Sequence, residues 1–259
     1  MKVKGMALMG LFVGGVLTTG VAWAGVLDVN GVAVNERVFN DFPGSTLTVT
    51  NNFPTLLEIR DENMDGSGFA NRHDALISDD GGATALGLNT TDGFDISADV
   101  TLEDGSDSPR KEAGIRVNSG VTGDGLFLVN SDAGEIVAFG GPLPFFSFNN
   151  EFGLAYMTGD TINMRMIYRP GNGARGTIEY IVDAGSGPLS SGEITFTNNE
   201  GGIANGTNVG FYGQFSPTDA SDFGDARFEN INVVPEPASL LLLGIGALGM
   251  MRRRTREIG

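Results

Sequence analysis

Short stretches of alternating apolar and polar residues, separated by glycine-containing turns, constrain the fold of this chain more than any other feature. Glycine accounts for 40 of the 259 residues and lies mostly between these stretches. Successive side chains of a β-strand point to opposite faces of the sheet, so period-two alternation is typical of strands with one buried face. The alternation predicts strands at residues 46–50, 94–103, 112–118, 125–129, 135–139, 161–168, 176–183, 192–197, 208–215 and 226–233.

The connections between the predicted strands are short and rich in turn-forming residues, as at 119–120, 130–134 and 170–173. Parallel strands need a long crossover, so short connections favour antiparallel neighbours. No stretch of the central region has a sustained helical stripe. We therefore predict an all-β, antiparallel β-sandwich of about ten or more strands. Two regions, 60–87 and 139–156, lack the alternation and are expected to form long loops that are either functional or disordered.

The N-terminal segment has the three parts of a secretory signal peptide. Lys2 and Lys4 precede an apolar run at 6–21, and Ala22 and Ala24 form an A-x-A cleavage site. This order predicts export through the Sec translocon and cleavage after Ala24. A membrane anchor is the alternative, but the run is short and rich in glycine for a bilayer core of about 30 Å.

The two ends divide the chain into a signal peptide at 1–24, a β-sandwich domain at 25–234 and a C-terminal segment at 235–259. The middle part is long enough for one hydrophobic core and does not require two. The chain has no cysteine, although disulfides persist outside the cytoplasm. Its stability must therefore come from burial and hydrogen bonding, or from a bound cation.

The formal net charge is -16, and the domain between the two ends is more acidic still, because many of the basic residues lie in those ends. An acidic field of this size repels nucleic acid and anionic membranes, so we expect no nucleic-acid partner. It suits cation binding, but an acidic surface that only keeps the protein soluble is the more common explanation.

The C-terminal segment also has three parts. Pro235, Glu236 and Pro237 precede an apolar run at 238–251. A helix over that run would rise only about 21 Å, which suits transient membrane engagement better than a permanent anchor. The prolines keep their own segment extended and accessible. A basic cluster follows the run and favours a cytoplasmic location for the end of the chain; it contains Arg252, Arg253 and Arg254.

This order of Pro-Glu-Pro, apolar run and arginines resembles the PEP-CTERM sorting domain of exopolysaccharide-producing Gram-negative bacteria. The resemblance implies an exosortase, a membrane-embedded cysteine protease, that recognises Pro235, Glu236 and Pro237. It also implies a membrane-tethered intermediate, followed by release to the cell surface or the extracellular matrix. An ordinary tail anchor with a proline-rich stem is the alternative.

The central domain resembles the concanavalin A-like lectin/glucanase jelly rolls in the stretches 94–100, 113–117 and 228–233. Glucanases of that class carry an E-x-D-x-x-E strand whose carboxylates act as nucleophile and acid/base. This chain has no such spacing, so we expect no enzymatic activity. The single histidine, His73, has no accompanying nucleophile motif and is expected to be exposed in a loop.

One acidic segment has the spacing of a calcium-binding loop. Asp61, Asn63, Asp65 and Ser67 stand at alternate positions, with a glycine before the last. Calcium prefers such oxygen ligands, but an EF-hand also needs a glutamate at its twelfth position, where this chain has Arg72. Calcium at these four residues is therefore one hypothesis, and an unliganded Asx-rich turn is the other.

Together these features predict an exported, non-catalytic surface or matrix protein that associates with extracellular polysaccharide as a lectin does. Two alternatives stay open. One is a glycan-active enzyme with an atypical carboxylate pair, and the other is a purely structural or adhesive matrix component.

Overall fold

The computed structural model describes residues 28–171, 175–197 and 200–235, without the side chain of Pro235. The predicted signal peptide with Ala22 and Ala24 lies outside the described residues. The same holds for the apolar run that follows the Pro-Glu-Pro segment and for the arginine cluster. Within the described part of the chain, no helix has both the length and the apolar character needed to cross a membrane.

Strands account for nearly all of the regular structure, with one short helix. The elements are β1 (Gly31–Asn40), β2 (Thr46–Asn52), β3 (Leu56–Glu62), β4 (Asn71–Ser78), β5 (Phe94–Asp104), β6 (Lys111–Ser119), β7 (Gly123–Asn130), β8 (Ile136–Gly140), β9 (Phe146–Ser147), α1 (Phe148–Phe152), β10 (Thr161–Arg169), β11 (Thr177–Asp183), β12 (Leu189–Ser190), β13 (Ile194–Thr195), β14 (Asn208–Phe215) and β15 (Phe223–Pro235).

Two antiparallel sheets pack face to face. The seven-stranded sheet has the order β1-β4-β14-β6-β7-β8-β9. The eight-stranded sheet has the order β12-β11-β10-β5-β15-β3-β2, and β13 also pairs with β11. The prediction of an antiparallel, concanavalin A-like β-sandwich is confirmed.

The core lies between the sheets, where alternate side chains of each strand meet. In β5 the inward residues, which run from Phe94 through Ile96 to Leu102, are fully buried. The ring of Phe228 in the eight-stranded sheet lies 4.9 Å from the ring of Phe211 in the other sheet, measured between centroids. The period-two pattern therefore identified the buried face of this strand correctly.

The two regions expected to be long loops contain regular structure over part of their length, so those predictions were partly wrong. In the first region, β3 covers 60–62 and β4 covers 71–78, and every residue of β4 is buried. A strand buried on both faces does not alternate in polarity, which is why the pattern missed it. The second region holds β9 and α1, a helix that begins after its N-cap Ser147 and ends at Gly153 with φ 68°.

Candidate functional site

A group of charged and aromatic side chains covers the outward face of the seven-stranded sheet, on the side away from the core. They come from adjacent strands. Members that share a strand are two or four positions apart, so their side chains point to the same face. Asp74 and Gly114 both lie opposite Tyr212 in the sheet. We call this group the Arg72 face, and it consists of Arg72, Asp74, Glu112, Arg116, Asp124 and Tyr212.

Two arginines and two aspartates on this face form a closed set of ion pairs. Arg72 reaches Asp124 through Nη1 at 3.1 Å and Asp74 through Nε at 3.4 Å. Arg116 donates to Asp74 through Nη1 and to Asp124 through Nε, the latter at 3.1 Å. Each carboxylate therefore touches both guanidinium groups. This sharing compensates the cost of burying the charges, because a buried charge is tolerated only when it is paired and hydrogen-bonded.

Tyr212 lies beneath this ion-pair set. Its ring centroid is 4.9 Å from the guanidinium carbon of Arg72, a cation–π distance. Its hydroxyl donates to Oε2 of Glu112 at 3.2 Å. Burial raises the pKa of the Tyr212 hydroxyl well above its usual value, and the neighbouring Glu112 carboxylate raises it further. The hydroxyl is therefore a permanent hydrogen-bond donor at neutral pH.

Glu112 is itself a perturbed carboxyl. Burial raises its pKa, and the opposing effects of Arg110 and of the Tyr212 hydroxyl are smaller. The guanidinium of Arg110 lies 3.7 Å from Glu112 and is itself about one-third exposed. Glu112 is therefore buried itself, but its neighbour Arg110 is in contact with solvent.

The Arg72 face retains one unsatisfied donor. Nη2 of Arg72 is buried and has no hydrogen-bond partner, although the other two nitrogens of the guanidinium are paired. A buried donor without an acceptor costs about 1–3 kcal/mol. The neighbouring Asp124 side chain is 35% exposed, so the set of ion pairs opens to solvent on that side.

His73 lies between Arg72 and Asp74 on β4, and its side chain points to the opposite face of the sheet, towards the core. Its Nδ1 accepts the backbone N–H of Arg37 at 3.0 Å, which leaves Nε2 to donate to Oδ2 of Asp61 at 3.0 Å. Both side chains are fully buried, so the expectation of an exposed histidine was wrong. Burial tends to raise the pKa of Asp61, but hydrogen bonds from His73, Ser45 and Asn71 outweigh it and lower the pKa below its usual value.

The four residues of the calcium hypothesis lie in different surroundings. Asp61 is directed into the core towards His73, and the amide of Asn63 donates to Oγ1 of Thr46 at 3.2 Å. Asp65 and Ser67 are exposed. The described residues include no group of three or more His, Cys, Asp or Glu side chains placed to hold a metal ion. Calcium binding here stays a prediction, and it requires heat or a thermal shift when millimolar calcium is added.

The sorting residues are only partly within the described structure. Pro235 is the last residue of β15 and pairs with Phe94 of β5. Glu236, Pro237, Arg252, Arg253 and Arg254 lie outside the described residues.

Sequence analysis missed the Arg72 face, although a signal was present. Arg72 and Asp74 are two positions apart, and Glu112 and Arg116 are four apart in a predicted strand, so both pairs share a face. Charges of both signs on one face of two strands suggest an ion-pair cluster if the strands are neighbours. The adjacency of β4, β14 and β6 was the missing information.

The C-terminal segment is similar to a known family of sorting motifs. Residues 233–255 match the family model of the PEP-CTERM protein-sorting motif. The chain carries a PEP-CTERM sorting signal. The motif indicates an exported protein that passes through a C-terminally membrane-anchored intermediate. None of the curated proteins is significantly similar to the chain in sequence.

Solved structures with a similar fold include alginate lyases. The alginate lyase from Corynebacterium sp. superposes with a TM-score of 0.52 at 14% identity, over 81% of this chain and 96% of that one. A truncated AlyQ with CBM32 and alginate lyase domains superposes with a TM-score of 0.50 at 10% identity, over 81% of this chain and 61% of that one. At these identities the likeness shows the shared β-sandwich fold alone.

Proposed function

We propose that this exported PEP-CTERM protein binds a polysaccharide chain at the Arg72 face and does not cleave it. The observation that carries the proposal is the buried Nη2 of Arg72, which has no partner within an otherwise fully paired cluster. Sugar hydroxyl and carboxylate oxygens are acceptors for such a donor. Binding sites for small ligands usually combine a few such polar groups with apolar walls.

The surroundings of this donor suit a sugar ring. Leu126, Leu128, Val137 and Tyr212 form a separate apolar cluster on the same face, and the partly buried Phe139 packs against it. The four clustered side chains are buried, so Phe139 is the member that offers apolar area to the C–H side of a pyranose beside the arginines. The shared fold with two alginate lyases is a further reason to consider a saccharide ligand.

The chemistry of the face favours binding over cleavage. Breaking a uronide chain by elimination needs a base with a pKa near the working pH. The Tyr212 hydroxyl is unsuited to that role because its pKa is raised far above neutrality. His73 is directed into the core and engaged by Asp61.

A glycan-active enzyme is the second candidate. It is favoured by the raised pKa of Glu112, since a carboxyl perturbed in this way can serve as a general acid or base. An enzyme of this kind would release new chain ends from its polysaccharide, and a binding protein would not.

The acidity of the chain bears on which polysaccharide it binds. The net charge of -16 opposes the approach of a densely anionic polymer, and this opposition weakens as salt screens it. Within the Arg72 face, the two arginines and the two aspartates of the ion-pair set balance each other. We therefore expect neutral or sparsely charged chains to bind at low salt, and more acidic ones to bind only at higher ionic strength.

A glycan array with and without calcium tests whether the protein binds sugar, and titration of a hit with variants tests where. Arg72→Gln should weaken binding about tenfold or more, since one charge-assisted contact contributes about 1.5–3 kcal/mol. Arg60→Gln is a matched control, because Arg60 also pairs with an aspartate and lies over an aromatic ring, but on the eight-stranded sheet. Equal affinities for the two variants would place the site elsewhere. A blank array would favour the structural matrix component.

A further inference from the structure

The sorting motif begins where a central strand of the fold ends. β15 lies between β5 and β3, and its last residue, Pro235, is still paired with Phe94. Two residues, Glu236 and Pro237, then separate the paired strand from the apolar run that starts at Ala238. The folded domain therefore reaches almost to the membrane-engaging segment.

The length of chain between Pro235 and the apolar run limits how far the folded domain can lie from the membrane. Three residue steps from Pro235 to Ala238 span at most about 11 Å when fully extended. The headgroup layer on one side of a bilayer is about 5–8 Å thick. While the apolar run is held in the membrane, the end of the sandwich that contains Pro235 thus cannot stand clear of the headgroups.

The strand register identifies the residues at that end. Phe94 pairs with both Pro235 and Tyr168, so residues 89–93 and the turn after Arg169 lie beside the end of β15. The backbone N–H of Thr90 is bound by Asn205 at 3.0 Å, which adds the segment before β14 to the same surface. We call this surface the tail end of the sandwich.

Charge is unequally distributed between the tail end of the sandwich and the opposite end. At the tail end, Arg169 and Arg175 only partly offset the acidic residues of the neighbouring connections, which are Asp79, Asp80, Asp92, Glu193 and Glu200. The opposite end of the eight-stranded sheet, at its other set of connections, is strongly acidic and carries Asp65, Asp104, Asp107, Asp160, Asp183 and Asp219. Anionic lipids repel such carboxylates, so the tail end is also the end that approaches a membrane at the lower electrostatic cost.

We propose that the tail end of the sandwich is a membrane-contact surface, which the short tether holds on the lipid headgroups of the bilayer while the C-terminal segment is anchored in it. The inference rests on the sorting motif and the position of β15. It does not depend on the saccharide proposal.

The chain has no cysteine, so single probes can be placed without further changes. Thr91→Cys marks the tail end and Ala220→Cys marks the opposite end, and both positions are exposed. The full-length protein would be reconstituted into phosphatidylethanolamine and phosphatidylglycerol vesicles that contain a lipid with a nitroxide on its headgroup. Flotation of the vesicles confirms that the protein is anchored, and quenching of a fluorophore on each cysteine reports its proximity to the headgroups.

Strong quenching at Thr91→Cys and little at Ala220→Cys is the expected result. A Gly/Ser spacer of about 20 residues inserted between Pro237 and Ala238, with ends about 25 Å apart on average, should remove most of the quenching at Thr91→Cys. Equal quenching at the two positions, or quenching at Thr91→Cys that the spacer leaves unchanged, would overturn the proposal. Failure of the full chain to float with the vesicles would overturn it as well, because no tether would then hold the surface in place.

Discussion

At the scale of single residues, the two arginines of the Arg72 face are not equivalent. Arg116 contacts both Asp74 and Asp124, and Asp74 is fully buried. Removing Arg116 would leave that carboxylate with only the 3.4 Å contact from Arg72, and breaking a buried ion pair costs about 3–5 kcal/mol. Without Arg72, both carboxylates keep Arg116. Arg72 is therefore the residue whose substitution probes ligand binding without unfolding the domain.

The Asp61 carboxylate should make stability depend on acid pH. Its pKa is lower in the folded protein than in the unfolded chain because His73, Ser45 and Asn71 donate to it. A lowered pKa contributes stability above the unfolded value of about 3.9, and that contribution is lost as the pH falls through the folded value. The stability advantage of the wild type over Asp61→Asn should therefore shrink between about pH 5 and pH 3, as measured by urea unfolding.

Glu112→Gln provides the control of opposite sign. Burial raises the pKa of Glu112 in the fold, so protonation favours the folded state and the wild type should gain stability relative to Glu112→Gln as the pH falls. If the advantage of the wild type over Asp61→Asn also grew as the pH fell, the buried hydrogen bonds assigned to Asp61 would be wrong.

At the scale of strands, glycines make room for the Arg72 face. Gly114 lies opposite Tyr212 and Gly210 lies opposite Arg116. A Cβ on Gly114 would lie 2.1 Å from the carbonyl oxygen of Phe127, and one on Gly210 would lie 2.2 Å from that of Ala75. The backbones of neighbouring strands therefore lie too close together at these two positions for any side chain.

Gly114→Ala should lower the free energy of unfolding by about 1–3 kcal/mol, the usual cost of overpacking. Gly120 lies in the turn after the same strand, and an added Cβ there would meet nothing within 4 Å, so Gly120→Ala is the matched control and should change stability little. Thermal unfolding of the two variants measures the difference. A Gly114→Ala variant as stable as the control would show that the strands can separate at no cost.

The predictability of each strand from sequence depended on its burial. β10 and β11 alternate between buried and half-buried residues along much of their length, and the predicted segments lie close to their observed bounds. β4 is buried on both faces and contains Arg72, His73 and Asp74, so its polar residues made it look like a loop. Their charges are neutralised by residues distant in sequence, and local pattern carries no information about such partners.

At the scale of the whole molecule, processing of the tail should depend on the Pro-Glu-Pro segment. Replacing Pro235 and Pro237 by Ala removes the two residues that keep this segment extended. We expect the C-terminal segment to stay uncleaved in the native host, with the protein retained in the membrane fraction. Immunoblotting of membrane and extracellular fractions measures this, and unchanged release would argue against recognition at this motif.

The central claim is that the folded domain binds a polysaccharide without cleaving it, and one measurement addresses both parts. The secreted protein is incubated with the polysaccharide that it binds best, and size-exclusion chromatography with light scattering follows the complex and the length of the polysaccharide over time. The account predicts that the protein co-elutes with a polysaccharide whose chain length does not change, and that Arg72→Gln abolishes the co-elution. Progressive shortening of the polysaccharide, lost in a Glu112→Gln variant, would contradict it and establish an enzyme instead.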